Sequence, residues 1–123
     1  MTVRGSLGQG RSAMKLSELL RANQRRQAFG ALTEGDAACA VAQVFEQAFG
    51  VGVDRVGIGR ESQLLRWVLA TYRIEIPPSR EMCAKCGAPF QLPEGLSGYI
   101  IHLNDVHLAG KTVIIEALEA IGL

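Results

Sequence analysis

The stretch that decides the fold is Cys83-Ala84-Lys85-Cys86-Gly87, followed after a gap by His102-Leu103-Asn104-Asp105-Val106-His107. Two cysteines at this spacing aim both thiols at one point, and Gly87 permits the tight turn behind them. The chain has 2 histidines, and both lie in the second motif. Two sulfurs and two imidazoles make a tetrahedral donor set, so Cys83, Cys86, His102 and His107 read as ligands of one Zn2+ ion. The gap from Cys86 to His102 is slightly longer than finger motifs use, and Pro93-Glu94-Gly95 can absorb the excess. A redox dithiol would need a strand-to-helix setting in a βαβ unit, and that setting is missing.

The histidine spacing constrains the backbone. Residues four apart lie about 40° apart around an ideal helix, and residues five apart about 140°. His102 and His107 therefore share an ion only if the last turn loosens or His107 lies past the helix end. Four good ligands close the shell and leave no open position for water, so the zinc reads as structural. A zinc-dependent hydrolase is an outside alternative. Asn104 and Asp105 read as hydrogen-bonding partners of a histidine or as solvent-exposed residues.

Outward from this motif, 123 residues fit one domain with a modest core. Aromatics make up 6%, so the core must be built from aliphatic side chains, and a metal staple suits it. The net charge of +1 lacks the basic excess of a protein that binds mainly through phosphates. Three cysteines, an odd count, and no apolar leader point to a reducing compartment. The expected location is the cytoplasm or a virion, not outside the cell and not a membrane.

Residues 1–13 read as a flexible tail, with Met14 as an alternative start. Arg4 and Arg11 in that tail could touch nucleic acid. Apolar residues at helical spacing predict helices over 15–27, 37–49, 62–72, 96–107 and 112–121. Gly30 is expected to stop the first, and Thr33-Glu34-Gly35-Asp36 to cap the second. Cys39 reads as a small buried residue and Trp67 as core packing. Gly50 to Arg60 reads as a loop, since it lacks the ending of a phosphate-binding motif. Arg73 to Ile76 alternates like a short strand, which Pro77-Pro78 closes. Arg21, Arg25 and Arg26 form the densest basic cluster. They are candidate contacts for nucleic acid or an acidic partner, weighed against a solvated helix end. The last helix carries Glu116 and Glu119, which suits packing better than a DNA groove.

The His-Leu-Asn-Asp-Val-His run at 102–107 resembles a group of small bacterial and phage proteins with a Cys-x-x-Cys followed by His-Leu-Asn-Asp-x-His. Lys15-Leu16-Ser17-Glu18 and Ala28-Phe29-Gly30 are similar to short pieces of the same group. That group carries tryptophans and an arginine after the second histidine, and this chain does not. The resemblance implies a zinc site and a phage or mobile-element setting.

The expected architecture is mostly α: a small single domain of four to five helices with a zinc knuckle and at most a minor β component. A helical layer over 14–76 would join a zinc-binding unit over 77–123. The expected function is a non-enzymatic, zinc-stabilised module that docks onto a protein partner, with no small-molecule substrate. A nucleic-acid-binding accessory protein is the alternative.

Overall fold

Leu16, Leu19 and Leu20 recur at helical spacing, and all three are buried in the first helix of the computed structural model, which describes residues 15–53 and 60–123. That helix, α1 (Leu16–Ala22), opens where the Glu18 carboxylate accepts the Lys15 N–H at 2.8 Å. It stops at Ala22, short of the expected Gln27. The reason is Asn23, whose Oδ1 accepts the Arg25 N–H at 3.0 Å and turns the chain away. Arg26–Gln27 then forms strand β1.

Thr33–Glu34 (β2) and Ala37–Ala38 (β3) pair antiparallel across Gly35-Asp36, and β1 pairs parallel with β3 on its other side. Gly35 sits at φ +61, as a tight hairpin turn requires. The residues expected to cap a helix are therefore a hairpin. Helix α2 (Ala40–Phe49) begins one step later, with Cys39 at its N-cap, and closes at Gly50 in the left-handed region. Ala40 through Glu46 are all buried, so α2 is the central helix, packed by α1 and by α3 (Glu61–Thr71).

Helix α3 turns Leu64, Leu65 and Val68 inward. Its end consumes the segment expected to be a strand: Arg73 N–H donates to Ala70 O and Ile74 N–H to Leu69 O. Arg73 thereby sits at φ +55, and residues 73–76 form no strand. The strand comes after the prolines. Ser79–Met82 (β4) pairs antiparallel with Pro89–Leu92 (β5). Helix α4 (Leu96–Ile101) follows and widens into a π-helical turn over His102–Val106. Helix α5 (Lys111–Ala120) packs back on α1, and Ser17 N–H donates to Leu123 O at 3.0 Å. One buried cluster draws on every helix, from Leu16 to Leu118.

The mostly α expectation is thus corrected. Five strands in two small sheets accompany five helices among the described residues, and the architecture is mixed α/β. Turn chemistry at Asn23 and Gly35 overrode helical spacing, and two-residue strands are too short to show alternation. The tail at 1–13 with Arg4 and Arg11, the Met14 start and most of the Gly50–Arg60 loop lie outside the described residues. Among the described residues, no helix is long and apolar enough to cross a membrane.

Cys39 is buried at the start of α2, and burial pushes its thiol up to about 11 from 9.0. The unfolded chain ionises at the ordinary value. This contribution to stability is therefore complete below pH 9.0 and is lost as pH climbs toward about 11. At about 1.4 kcal/mol per unit, the loss is on the order of 3 kcal/mol. Urea unfolding of Cys39→Ala should lack this fall between those pH values. An equal fall in both proteins would remove Cys39 as its cause.

Candidate metal centre

Strand β4 delivers Cys83 into a closed knuckle. Cys83 N–H donates to Ala88 O at 2.8 Å and Gly87 N–H donates to Cys83 O at 2.9 Å. Gly87 sits at φ +77, where an L side chain would be strained. Tyr99 of α4 pins the knuckle from below. Its hydroxyl accepts the Ala84 N–H at 3.1 Å, and its ring stacks on Phe90 of β5 at 4.1 Å between centroids. Burial pushes the Cys83 thiol up, but N–H groups of Lys85, Cys86 and Gly87 and the Cys86 side chain outweigh it. The net effect holds the thiol below its ordinary value. That favours the thiolate, the form that ligates metal.

The histidines come from the π turn. His107 N–H donates to His102 O at 3.1 Å, an i to i+5 bond. The wider turn stacks residues five apart, which an α-turn would splay. The two Nε2 atoms stand 3.0 Å apart with their rings edge-on. Cys86 Sγ lies 3.4 Å from His102 Nε2, and Cys83 Sγ lies 3.7 Å from His107 Nε2. All four ligand atoms fall within 4.8 Å of one another. Both cysteines are free thiols, Cys83 buried and Cys86 exposed. The four residues picked out by spacing are brought together, and they form a set that could hold a metal ion.

Asn104 and Asp105 do something the sequence reading missed. Asn104 is 1% exposed. Its Oδ1 accepts from Gln27 Nε2 at 2.8 Å and from Ala40 N–H at 3.2 Å, and its Nδ2 donates to Ala28 O at 2.8 Å. Asp105 accepts the Gly30 N–H at 2.8 Å. Neither hydrogen-bonds a histidine. Together they tie the histidine-bearing turn to β1 and to the start of α2. The available signal was position: Asn104 falls four residues after Ile100, where the buried face of α4 continues into the π turn.

The arginine cluster is spent on carboxylates. Arg21 pairs with Glu119 and Arg25 with Glu46, each at 2.6 Å, and Arg26 pairs with Asp36. Arg25 also donates to the carbonyls of Asp36 and Ala37, holding β3 against the helix end. Lys111 Nζ donates to the carbonyls of Asn23 and Arg25, and its burial there lowers its pKa. Trp67 is half-buried with its ring 6.3 Å from that of Phe45.

No protein-family model, curated protein or solved structure matches this chain. The centre is therefore characterised by its own geometry: a strand, a knuckle, a second strand and a helix that ends in two imidazoles.

Proposed function

We propose that Cys83, Cys86, His102 and His107 bind one structural zinc ion and that the chain is a non-enzymatic module that docks onto a protein. A tetrahedral ion with bonds of about 2.0–2.3 Å has edges of about 3.3–3.8 Å between donor atoms. Three of the separations, 3.0, 3.4 and 3.7 Å, lie near those edges, and all four donor atoms fall within 4.8 Å of one another. Two thiols with two imidazoles suit zinc and leave no protein-free coordination position for a substrate.

The observation that carries the docking half is the burial of the finger helix. A ββα finger that reads DNA lays the outer face of its helix in the major groove. Here Leu96, Tyr99, Ile100, Leu103 and Asn104 are buried within the domain. The run from Leu96 to His107 contains no lysine or arginine, and Arg21, Arg25 and Arg26 are already neutralised by carboxylates. Phosphate contact through these residues would first have to break those pairs. The motif likeness of residues 102–107 supports a phage or mobile-element accessory role, in the cytoplasm or a virion.

Elemental analysis should find one zinc per chain. Fluorescence anisotropy with labelled duplex and single-stranded DNA should show no binding that weakens steeply with added salt. Tight, salt-sensitive binding lost in Arg21→Ala/Arg26→Ala would sink the protein-docking reading in favour of nucleic acid.

A further inference from the structure

A cleft of about 410 Å³ opens between α3 and the turn that leads into α4, and none of the four metal ligands lines it. Small-molecule pockets span about 300–1,000 Å³. One wall is Ser62, Leu65, Arg66 and Leu69 of α3. Their helical spacing makes them a single stripe beside the face that enters the core. The other wall is Pro93, Glu94 and Ser97. Its backbone is tightly folded: Gly95 N–H donates to Gln91 O, and Leu96 N–H donates to Pro93 O. A Cβ on Gly95 would stand 2.7 Å from Gln91 O, so only glycine closes this turn as it stands.

The chemistry of the two walls is complementary. Leu65 is buried and Leu69 half-buried against the core, which gives the cleft an apolar floor. Above it Arg66 projects from one wall and Glu94 from the other, both exposed, and the two do not pair. Among the described residues neither has another partner of opposite charge, whereas Arg21, Arg25 and Arg26 each have one. A simple anion would be repelled by Glu94 and a simple cation by Arg66. A wholly apolar ligand would cover both charges without answering either. A ligand with a carboxylate at one point, an ammonium close by and an apolar remainder answers all three parts of the lining.

We infer that this cleft binds a free α-amino acid with an apolar side chain. Arg66 receives the carboxylate through its planar fork of donors, Glu94 receives the ammonium, and the side chain lies on Leu65 and Leu69. The hydroxyls of Ser62 and Ser97 are further partners for the charged end. Both histidines of the chain stand at the metal centre, so neither serine has an imidazole to activate it. The ligand is held and not converted.

The test titrates the full chain with L-leucine while amide NMR shifts are read residue by residue. N-acetyl-leucine, which lacks the ammonium, and leucinamide, which lacks the carboxylate, are the controls. Leucine should give saturable shifts at Ser62, Arg66, Glu94 and Ser97, and each control should bind several-fold more weakly. Arg66→Gln should weaken leucine and N-acetyl-leucine several-fold and leave leucinamide unchanged. Glu94→Gln should weaken leucine and leucinamide and leave N-acetyl-leucine unchanged. Both residues are exposed, so the variants should melt with wild type, which separates a lost ligand from a lost fold. Absence of saturable shifts at those four residues would overturn the assignment. Equal binding of all three compounds would reduce the cleft to an apolar surface and overturn it too. Tighter binding of either control than of leucine would assign the cleft to the end of a peptide, with the same consequence. The assignment uses no metal ligand and no docking face, so it stands or falls separately from the zinc and protein-docking readings.

Discussion

Chelating the proposed zinc, or replacing Cys83 with serine, is expected to unfold the whole chain and not only the knuckle. Structural zinc in finger peptides contributes about 10–16 kcal/mol of apparent binding energy. The folding margin of a small domain is about 5–15 kcal/mol. The ligand-bearing segments are not an appendage here, because Leu96, Ile100 and Leu103 are fully buried in the same cluster as Leu16, Val41 and Leu64. The π turn is also an uncommon geometry, and its wider ring is what brings His102 and His107 together. Trp67 makes the distinction measurable, since its ring packs on Phe45 of α2 and belongs to neither ligand segment. Metal removal should shift Trp67 emission and the far-UV circular dichroism together, and added zinc should restore both. A knuckle that melted alone would leave the Trp67 signal in place. An unchanged signal after complete zinc removal would mean that the core stands without the ion.

The parts of the fold that could be read from the residues are those where one period dominates. Leu64, Leu65 and Val68, and likewise Ile114, Ile115 and Leu118, follow helical spacing and lie buried in α3 and α5. The gathering of Cys83, Cys86, His102 and His107 was legible because sulfur and imidazole at fixed spacing have few other uses. The strands were hidden for separate reasons. Arg26–Gln27 continues a helical pattern until the Asn23 side chain captures the Arg25 N–H. Thr33-Glu34-Gly35-Asp36 offers capping residues and hairpin residues at once, and pairing with Arg26–Gln27 decides for the hairpin. Ser79–Met82 follows two prolines, and β5 begins with a third, so the local pattern argued against a sheet. In an antiparallel ribbon, however, Pro89 occupies a position whose N–H would point outward, so its missing donor costs no ladder bond. The arginines looked like free charge because their partners are remote in sequence: Glu46 for Arg25 and Glu119 for Arg21.

Asn104→Ala is expected to cost about 3 kcal/mol or more with all four ligands intact. Asn104 is nearly inaccessible, and its amide serves groups from three places at once. Ala40 N–H is one of the donors that a helix start leaves without an intrahelical partner, and α2 has no side-chain cap of its own at Cys39. Asn104 Oδ1 supplies that cap from across the chain. Its Nδ2 satisfies Ala28 O just beyond β1, and Gln27 is oriented by the same oxygen. Truncation leaves a buried donor and a buried acceptor unpaired, each worth about 1–3 kcal/mol. At about 3–5 °C per kcal/mol for a domain of this size, the melting temperature should fall by about 10 °C or more. Asn104→Asp should be worse. It keeps the acceptor for Ala40 but loses the donor to Ala28, and it buries a charge beside Asp105. Zinc content at saturating metal should stay at one per chain in both variants, since neither removes a ligand. Melting temperatures within a degree or two of wild type would show that the ion alone holds the π turn. A large fall with zinc retained would show the reverse dependence: the metal gathers four ligands, and one buried amide fastens that gathering to the central helix.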